Sequence, residues 1–265
     1  MGILRLIMAY RKVLVGMLIV PISLNGCNAQ ETINPPSELT LVGNIDPAST
    51  SKLLAESRGP AKKLVVTSMG GEIESAITIG KLVRDKGLAV VVRGYCLSAC
   101  AHFIFMSALE KSVEEYSIVG FHGTASARLE LFKLAGRNDL AMDYSNLATL
   151  ERSFYRDIGI SDALLIDPLI KVSPVCYLVG TTSRPLPSGK SGLMTRTSFY
   201  IPTKQELGRF GSSRITGFWP TTPTELMAAA SRLPQSARLT FRLEGSEQAS
   251  AGQLPSVEEC PVSFP

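Results

Sequence analysis

The sequence predicts an α/β fold with a mainly parallel core sheet. From residue 38 onward, segments with a strand pattern alternate with segments that have a helix pattern, as expected when helices join parallel strands. The stretch "LAVVVRGY" is apolar almost throughout, which is typical of a strand buried on both faces. The stretch "EIESAITIGKLVRDKG" instead places its apolar residues near one helix face and ends at Gly87, a common helix stop.

The first half of the chain supplies the remaining elements of this sheet. The segment "DPASTSKLLAES" is predicted as a helix capped by an aspartate or serine near its start. A further helix is predicted to begin at about Ser98. Three more segments have strand patterns: "LTLVGNI", "KKLVVTS" and "YSIVGFH".

The second half is predicted to be richer in helix. Residues 125–158 form a long helical region that "LAGRND" interrupts, and residues 161–171 form a short helix. The segment "FYIPTKQELGRFG" predicts a strand and then a helix, in which Thr203 and Glu206 have capping-box spacing. Further on, "TPTELMAAASRL" predicts a helix and "ARLTFRLEG" predicts a strand.

The N-terminus has the pattern of a targeting signal. Basic residues precede the apolar run "VLVGMLIVPISL", which is too short to span a membrane comfortably and is broken by a proline. The following "LNGC" resembles a bacterial lipoprotein signal, with Cys27 as the lipidation site. Ordinary signal cleavage near "CNA" is the alternative. Both interpretations predict export to the periplasm, and lipidation of Cys27 would add attachment to a membrane.

These patterns divide the chain into four parts. We expect a signal segment at residues 1–27 and a polar, proline-containing linker at residues 28–37. An α/β domain follows at residues 38–220. Residues 221–265 are predicted to be a C-terminal extension that packs on this domain.

Composition and charge exclude several functions. The chain has 265 residues, of which 45% are hydrophobic and 19% are charged, as in an ordinary globular protein. The formal net charge is +4, but three of the basic residues lie in the N-terminal signal, so the rest of the chain is nearly neutral. This gives no electrostatic case for nucleic-acid binding. With two histidines and no zinc-type spacing, we expect neither a metal nor a cofactor.

Four cysteines besides Cys27 form an even set, which allows three full pairings. Export makes disulfides plausible, and buried free thiols are the alternative. We favour a local bridge between Cys96 and Cys100 and a long-range bridge between Cys176 and Cys260. A separation of four residues at a turn into a helix brings two Cα atoms within the allowed range of about 4.4–6.8 Å.

Residues that could take part in catalysis follow three of the predicted strands. "TSMGG" ends one strand at Gly70 and Gly71, "CLSACA" ends the next at Ser98, and "VGFHG" ends another at His122. The carboxyl ends of parallel strands share one edge of the sheet, where ligands and reacting groups collect. The sequence therefore predicts that these three segments converge.

The converging residues suit acyl transfer. Ser98 would be the nucleophile and His122 the base that takes its proton. Backbone N–H groups at the Gly-Gly turn and at Ala99 would hold an oxyanion. Each residue also has a structural interpretation, since Ser98 could cap a helix and His122 could be a hydrogen-bonded core histidine. His102 is a rival base, but it lies on the helix after Ser98, so we predict a packing or hydrogen-bonding role.

The same segments carry a family resemblance. In the chain order "LVGNID", "VVTSMGGEIESAITIGKLVR", "VVVRGYCLSACAHFIFM" and "SIVGFHG", they resemble the Clp protease/crotonase superfamily, in particular its exported Clp-like serine peptidases. The resemblance implies a fold of repeated ββα units. It also implies Ser98 as the nucleophile, His122 as the base, and oxyanion donors at Gly70, Gly71 and Ala99.

The resemblance departs from the family at the third member of the triad. The family has an aspartate just before the helix that "PTKQEL" resembles, whereas this chain has Thr197 and Ser198 near that position. A hydroxyl of either residue could orient the histidine, or Asp143 or Asp157 could reach it from the helical region. In a well-studied serine protease, loss of the orienting acid lowers the rate by about 10⁴.

The predicted function is an exported serine hydrolase, and more specifically a peptidase that acts through an acyl-enzyme on a peptide or protein substrate. A homo-oligomer is compatible with the resemblance. A non-catalytic member that uses the fold for binding or assembly is the first alternative, because the expected acid is missing. Crotonase-like acyl-CoA chemistry is the second, although export argues against coenzyme A. A serine–lysine pair lacks the positional support that His122 has.

Overall fold

The computed structural model describes residues 37–134, 136–172, 197–212, 214–234, 239–244 and 249–250. The predicted signal segment, the lipidation candidate Cys27 and almost all of the linker lie outside these residues. The predicted bridge between Cys176 and Cys260 also lies outside them.

Among these residues, one large sheet and one small sheet are formed. The strands are β1 Leu39–Val42, β2 Lys63–Ser68, β3 Ala89–Leu97, β4 Lys111–Val113, β5 Ile118–Gly120, β6 Thr197–Ile201, β7 Ile215–Gly217, β8 Leu239–Leu243 and β9 Ala249–Ser250. In the large sheet the strand order is β1-β2-β3-β4-β7, β5 also pairs with β3, and every pairing is parallel. In the small sheet, β8 pairs parallel with β6 and antiparallel with β9. The predicted mixed α/β fold with a mainly parallel sheet is therefore confirmed.

Two helices join the first three strands, and both begin or end as the sequence predicts. At the start of the first helix, the Asp46 side chain accepts a hydrogen bond from the backbone N–H of Ser49 at 2.8 Å. The second helix ends at Gly87, whose φ of 60° is left-handed. These helices are α1 Pro47–Glu56 and α2 Ile73–Lys86.

The remaining helices of the described residues come after β5 in the chain. The predicted interruption at "LAGRND" is confirmed, since one helix ends at its first residue, Leu134, and another begins within it at Asn138. The side chain of Thr203 accepts a hydrogen bond from the backbone N–H of Glu206 at 3.0 Å, as the capping-box spacing predicts. The helices are α3 Ala125–Leu134, α4 Asn138–Ile158, α5 Ala163–Lys171, α6 Lys204–Arg209 and α7 Pro223–Ala230.

The helix predicted from about Ser98 has a different form from the others. It is a short π-helix, Cys100–Phe105, whose six residues are all buried. Three strands have no clear signal in the sequence: β4 and β7 have three residues each and β9 has two. Such segments are too short for an alternating pattern to be recognised.

The central strand β3 is bordered by two strands on the same side. β4 lies beside its first half and β5 beside its second half, where Leu97 is opposite Gly120. The next residue, Ser98, donates its backbone N–H to the Gly120 carbonyl at 3.0 Å. The ends of β3 and β5 are thereby fixed side by side, and both lead directly into the candidate site.

Buried aromatic side chains fill the space between the sheet and the helices. Phe103 and Phe105 of the π-helix, Phe121 after β5, and Phe154 and Tyr155 of α4 are all at most 1% exposed. They belong to one large hydrophobic cluster that includes residues of β1, β2 and β3. Within the described ranges, no helix combines the length and the apolar character needed to cross a bilayer.

Candidate active site

Ser98 lies at the sharp turn between β3 and the π-helix. Its φ of 57° is in the left-handed region, which is strained for a residue with a side chain. The backbone holds this turn on both sides, because the Ser98 N–H donates to Gly120 and its carbonyl accepts from the His102 N–H at 3.0 Å. A strained strand-to-helix turn of this kind presents the hydroxyl of a nucleophilic serine in known hydrolases.

The hydroxyl of Ser98 is directed at His122. The Oγ atom lies 2.5 Å from the His122 Nε2 atom. The N-cap position of the π-helix is occupied by Ala99, and no side chain makes a cap hydrogen bond there. Ser98 is therefore bonded to the imidazole and does not cap the π-helix.

His122 is positioned by two neighbouring strands. It lies two residues after the end of β5, and the intervening residue, Phe121, forms an antiparallel bridge with Tyr200 of β6 through two backbone hydrogen bonds of 2.9 and 2.7 Å. The ring of Phe199 meets the imidazole edge-on, with ring centroids 5.1 Å apart. Strand β6 thus supports the base from the side opposite β3.

The protonation state of His122 suits a proton acceptor. Burial is the main cause that lowers the pKa of His122 to about 3, and electrostatic repulsion by Arg128, and by His102 when it is protonated, adds to it. At neutral pH the imidazole is therefore uncharged. In the tautomer with the hydrogen on Nδ1, its Nε2 accepts the proton of the Ser98 hydroxyl.

The Gly-Gly turn after β2 packs directly against Ser98. A Cβ atom on Gly70, whose φ is 104°, would lie 2.6 Å from the Ser98 Cβ atom, so only glycine fits there. The Gly70 N–H, however, donates to the Ser68 hydroxyl at 3.1 Å and is already used within the turn. The structure therefore does not place the Gly70 amide as an oxyanion donor.

The other two predicted donors lie where a substrate could reach them. Gly71 and Ala99 both line the cavity that contains Ser98 and His122. Neither of their N–H groups donates to another residue in the described part of the chain. The role of these two amides as oxyanion donors remains a prediction.

His102 holds the backbone of His122 rather than the hydroxyl of Ser98. Its Nε2 lies 2.8 Å from the His122 carbonyl oxygen, and its Nδ1 lies 3.0 Å from the Tyr155 hydroxyl. A carbonyl can only accept, so Nε2 carries the hydrogen and Nδ1 accepts from the tyrosine. Burial lowers the pKa of His102 to about 4. This agrees with the predicted hydrogen-bonding role.

A buried acid that the sequence analysis did not single out also borders the cavity. Glu151 of α4 is fully buried, and its carboxylate accepts hydrogen bonds from the backbone N–H groups of Ala125 and Ser126 at 3.0 and 2.7 Å. It therefore caps α3, and burial raises its pKa. Nothing in the α4 sequence distinguishes this glutamate from the solvent-facing acids of the same helix.

The acids proposed as the third triad member do not reach the site. Asp143 and Asp157 are both exposed on α4, and neither lines the cavity. The other two candidates, Thr197 and Ser198, belong to β6 immediately before Phe199, but their side chains lie outside the described part of the structure. A role for either hydroxyl remains a prediction.

The cavity beside Ser98 and His122 has a volume of about 210 Å³. Ile73, Phe103 and Leu147 supply apolar wall, and Arg128, Tyr144 and Glu151 supply polar wall. No group of three or more His, Cys, Asp or Glu side chains within the described ranges is placed to hold a metal ion.

A disulfide joins the cysteines that lie two residues before and two residues after Ser98. Cys96 and Cys100 are bonded, with their Cα atoms 5.2 Å apart, and both residues are fully buried. This confirms the predicted local bridge. It joins the end of β3 to the first residue of the π-helix and closes the turn that carries Ser98.

The chain has a weak likeness to solved structures of ClpP1. No model of a known protein family matches the sequence, and neither does any curated protein. ClpP1 from Listeria monocytogenes is 18% identical over 46% of this chain and 78% of its own, with a TM-score of 0.29. A mutant of the same protein is 16% identical over 46% of this chain and 77% of its own, with a TM-score of 0.32. Because both TM-scores are low, we base the functional conclusion on the site geometry.

Proposed function

We propose that this chain is a serine hydrolase that acts through an acyl-enzyme. The observation that carries the proposal is the 2.5 Å contact between Ser98 Oγ and His122 Nε2 at a strained strand-to-helix turn. Ser98 Oγ attacks the substrate carbonyl carbon while its proton passes to His122 Nε2. The imidazolium then gives this proton to the leaving group, and water, deprotonated in turn by His122, releases the acyl group.

The low pKa of His122 makes the oxyanion donors important. Burial disfavours the imidazolium, so proton transfer needs a compensating negative charge nearby. That charge is the oxyanion, which the N–H groups of Gly71 and Ala99 would stabilise. One such donor is typically worth about 2.7–4 kcal/mol of the activation barrier.

A peptidase is the more specific form of this proposal. It rests on the sequence resemblance to exported Clp-like serine peptidases, whose nucleophile and base positions are occupied here by Ser98 and His122. The substrate would then be a peptide or protein. Assembly into a homo-oligomer belongs to the same proposal, and sedimentation equilibrium of the purified chain would test it.

Export to the periplasm is a proposal that rests on the N-terminal sequence. If Cys27 is lipidated, the mature protein fractionates with membranes and Cys27→Ser releases it to the soluble fraction. Unchanged processing and fractionation in this variant would exclude the anchor and leave ordinary signal cleavage.

Covalent labelling by a fluorophosphonate probe tests the proposed nucleophile. Phosphonylation should occur at Ser98 and should disappear in Ser98→Ala. Ser231→Ala, which removes an exposed hydroxyl that is bonded only within its own turn, should label like the unmodified chain. Equal labelling of Ser98→Ala and the unmodified chain would contradict the proposal.

A non-catalytic binding module is the second candidate. The observation that favours it is that neither Asp143 nor Asp157 approaches His122, although the family pattern requires an acid. Folded protein that remains unlabelled under all conditions would support this alternative.

A further inference from the structure

Tyr155 of α4 is connected to the proposed base through one other side chain. Its hydroxyl lies 3.0 Å from His102 Nδ1, and His102 Nε2 lies 2.8 Å from the backbone oxygen of His122. Tyr155 and His102 are both at most 1% exposed. The imidazole of His102 therefore bridges α4 and the backbone of the residue that supplies the base.

Only one arrangement of hydrogens satisfies both contacts of the His102 ring. Burial lowers the pKa of His102 to about 4, so at neutral pH the ring carries a single N–H hydrogen. If that hydrogen were on Nδ1, the Nε2 lone pair would face the His122 carbonyl oxygen at 2.8 Å, and two acceptors repel each other. The hydrogen is therefore on Nε2, and Nδ1 accepts from the Tyr155 hydroxyl. Donation to Nδ1 polarises the ring and so strengthens the hydrogen bond that Nε2 donates.

The same helix also holds the far end of the segment that carries His122. Glu151 lies one helical turn before Tyr155 on α4, so the two side chains share a face. The Glu151 carboxylate accepts hydrogen bonds from the backbone N–H groups of Ala125 and Ser126 at 3.0 and 2.7 Å. The segment is thus held at one end by Glu151 and at the other by Tyr155 through the bridging imidazole. The position of the base therefore depends on contacts with α4.

We propose that Tyr155 is a positioning residue for the base. By donating to His102 Nδ1 it fixes the imidazole that holds the His122 backbone, and this keeps the base within reach of the nucleophile. Tyr155 does not line the cavity, so it acts through His102 and not on the substrate. The inference rests on the proposed function, because positioning changes a rate only if His122 takes the proton of Ser98. A misplacement of about 1 Å can lower a catalysed rate by about 100-fold.

Nuclear magnetic resonance of the two imidazole rings tests the contact without requiring catalysis. The chain has two histidines, so isotopic labelling of histidine gives two ring systems, which His122→Gln would assign. His102 should carry its hydrogen on Nε2. In Tyr155→Phe, which keeps the buried ring, the His102 Nδ1 signal should move toward that of an unbonded nitrogen, and the carbonyl carbon signal of His122 should shift. A hydrogen on Nδ1, or either signal unchanged in folded Tyr155→Phe, would overturn the inference.

The rate of fluorophosphonate labelling at Ser98 tests the positioning itself. Tyr155→Phe should lower the maximal rate at saturating probe by roughly 10- to 100-fold. The half-saturating probe concentration should stay unchanged, because the cavity wall is not altered. Tyr116→Phe is the matched control, since the Tyr116 ring packs against Phe218 and does not line the cavity, and it should label at the unmodified rate. Equal maximal rates for folded Tyr155→Phe and this control would overturn the inference.

A double variant separates positioning from a general structural effect. In His102→Leu the bridge between the tyrosine and the base is absent, so adding Tyr155→Phe should slow labelling no further. Slowing by the same factor with and without His102 would indicate a structural role for Tyr155 and would overturn the inference. If His102→Leu does not fold, the imidazole signals of Tyr155→Phe decide. Shifted signals in a chain that is never labelled would support the link from Tyr155 to His122 and count against the hydrolase.

Discussion

The two histidines of the chain are bonded to each other, since His102 Nε2 lies 2.8 Å from the backbone oxygen of His122. The π-helix that begins after Ser98 thus holds the residue that supplies the base. His102 is 1% exposed, and its second nitrogen is bonded to the Tyr155 hydroxyl. His102 is therefore bonded to the backbone of both Ser98 and His122, whose side chains are also bonded to each other.

The burial of His102 predicts a loss of stability in mild acid. Its pKa is about 4 in the folded chain and about 6.5 when unfolded, so the unfolded state binds the proton first. The stabilisation is complete above about pH 6.5 and is lost as the pH falls toward 4, by an amount on the order of 3 kcal/mol. Urea unfolding across this range should show a shallower pH dependence for His102→Gln. The same slope in both proteins would contradict the prediction.

The reactivity of Ser98 should persist to unusually low pH. The base must be unprotonated to act, and the pKa of His122 is lowered to about 3, so the active form survives well below the ordinary value for histidine of about 6.5. The rate of fluorophosphonate labelling should therefore stay nearly constant from pH 8 to pH 5. Circular dichroism at each pH would confirm that the protein is folded. A half-maximal rate near pH 6.5 would show that His122 is not desolvated.

The contact between Gly70 and Ser98 predicts a severe effect of one methyl group. In Gly70→Ala the new Cβ would lie 2.6 Å from the Ser98 Cβ and 2.9 Å from the Leu97 carbonyl oxygen, so the turn must move. Overpacking of this kind typically costs about 1–3 kcal/mol, in addition to the strain of a positive φ. Labelling of Ser98 should slow markedly, and the midpoint of urea unfolding should fall.

Gly43→Ala is the matched control for this substitution. Gly43 also has a positive φ, 95°, but a Cβ there would meet nothing within 4 Å. This variant should show only the backbone strain of roughly 1–2 kcal/mol and should keep normal labelling. Equal labelling of the two variants would mean that the Gly70 contact does not position the nucleophile.

The convergence of Ser98 and His122 could be predicted from the sequence because it depends on topology alone. Strands of a parallel sheet end at one edge, and both residues lie within two positions of the end of a recognisable strand. The sequence could not predict that one side of β3 is split between two partner strands, β4 and β5, since β4 has only three residues. That split is nevertheless what places the end of β5 beside the end of β3.

The polar wall of the cavity could not be predicted for a different reason. Arg128 and Glu151 lie on α3 and α4, where charged residues ordinarily face solvent. Only the docking of the two helices brings both residues to the cavity, and docking depends on contacts between distant parts of the chain. The same limitation led to Asp143 and Asp157 as candidates, although both are exposed.

The buried carboxylate of Glu151 should be important for stability. Both of its oxygens accept hydrogen bonds from the first turn of α3, so Glu151→Leu would leave two backbone N–H groups without their partner. Each unsatisfied buried donor costs about 1–3 kcal/mol. The free energy of unfolding should fall by several kcal/mol in total. Glu130→Leu removes a partly exposed acid that is paired with Arg152 and should cost about 1 kcal/mol or less. Similar losses for both variants would contradict the capping role.

The disulfide between Cys96 and Cys100 should stabilise the turn that carries the nucleophile. Closing so short a loop contributes about 2 kcal/mol in the chain-entropy model, and Ser98 retains its left-handed φ of 57° only if its surroundings hold it there. The double variant Cys96→Ala/Cys100→Ala should therefore unfold at lower urea concentration and label more slowly at Ser98. Labelling should be compared in buffer without urea, where both proteins are folded. Unchanged labelling in the folded double variant would show that backbone contacts alone, such as the Ser98 N–H to Gly120, are sufficient to hold the hydroxyl at His122.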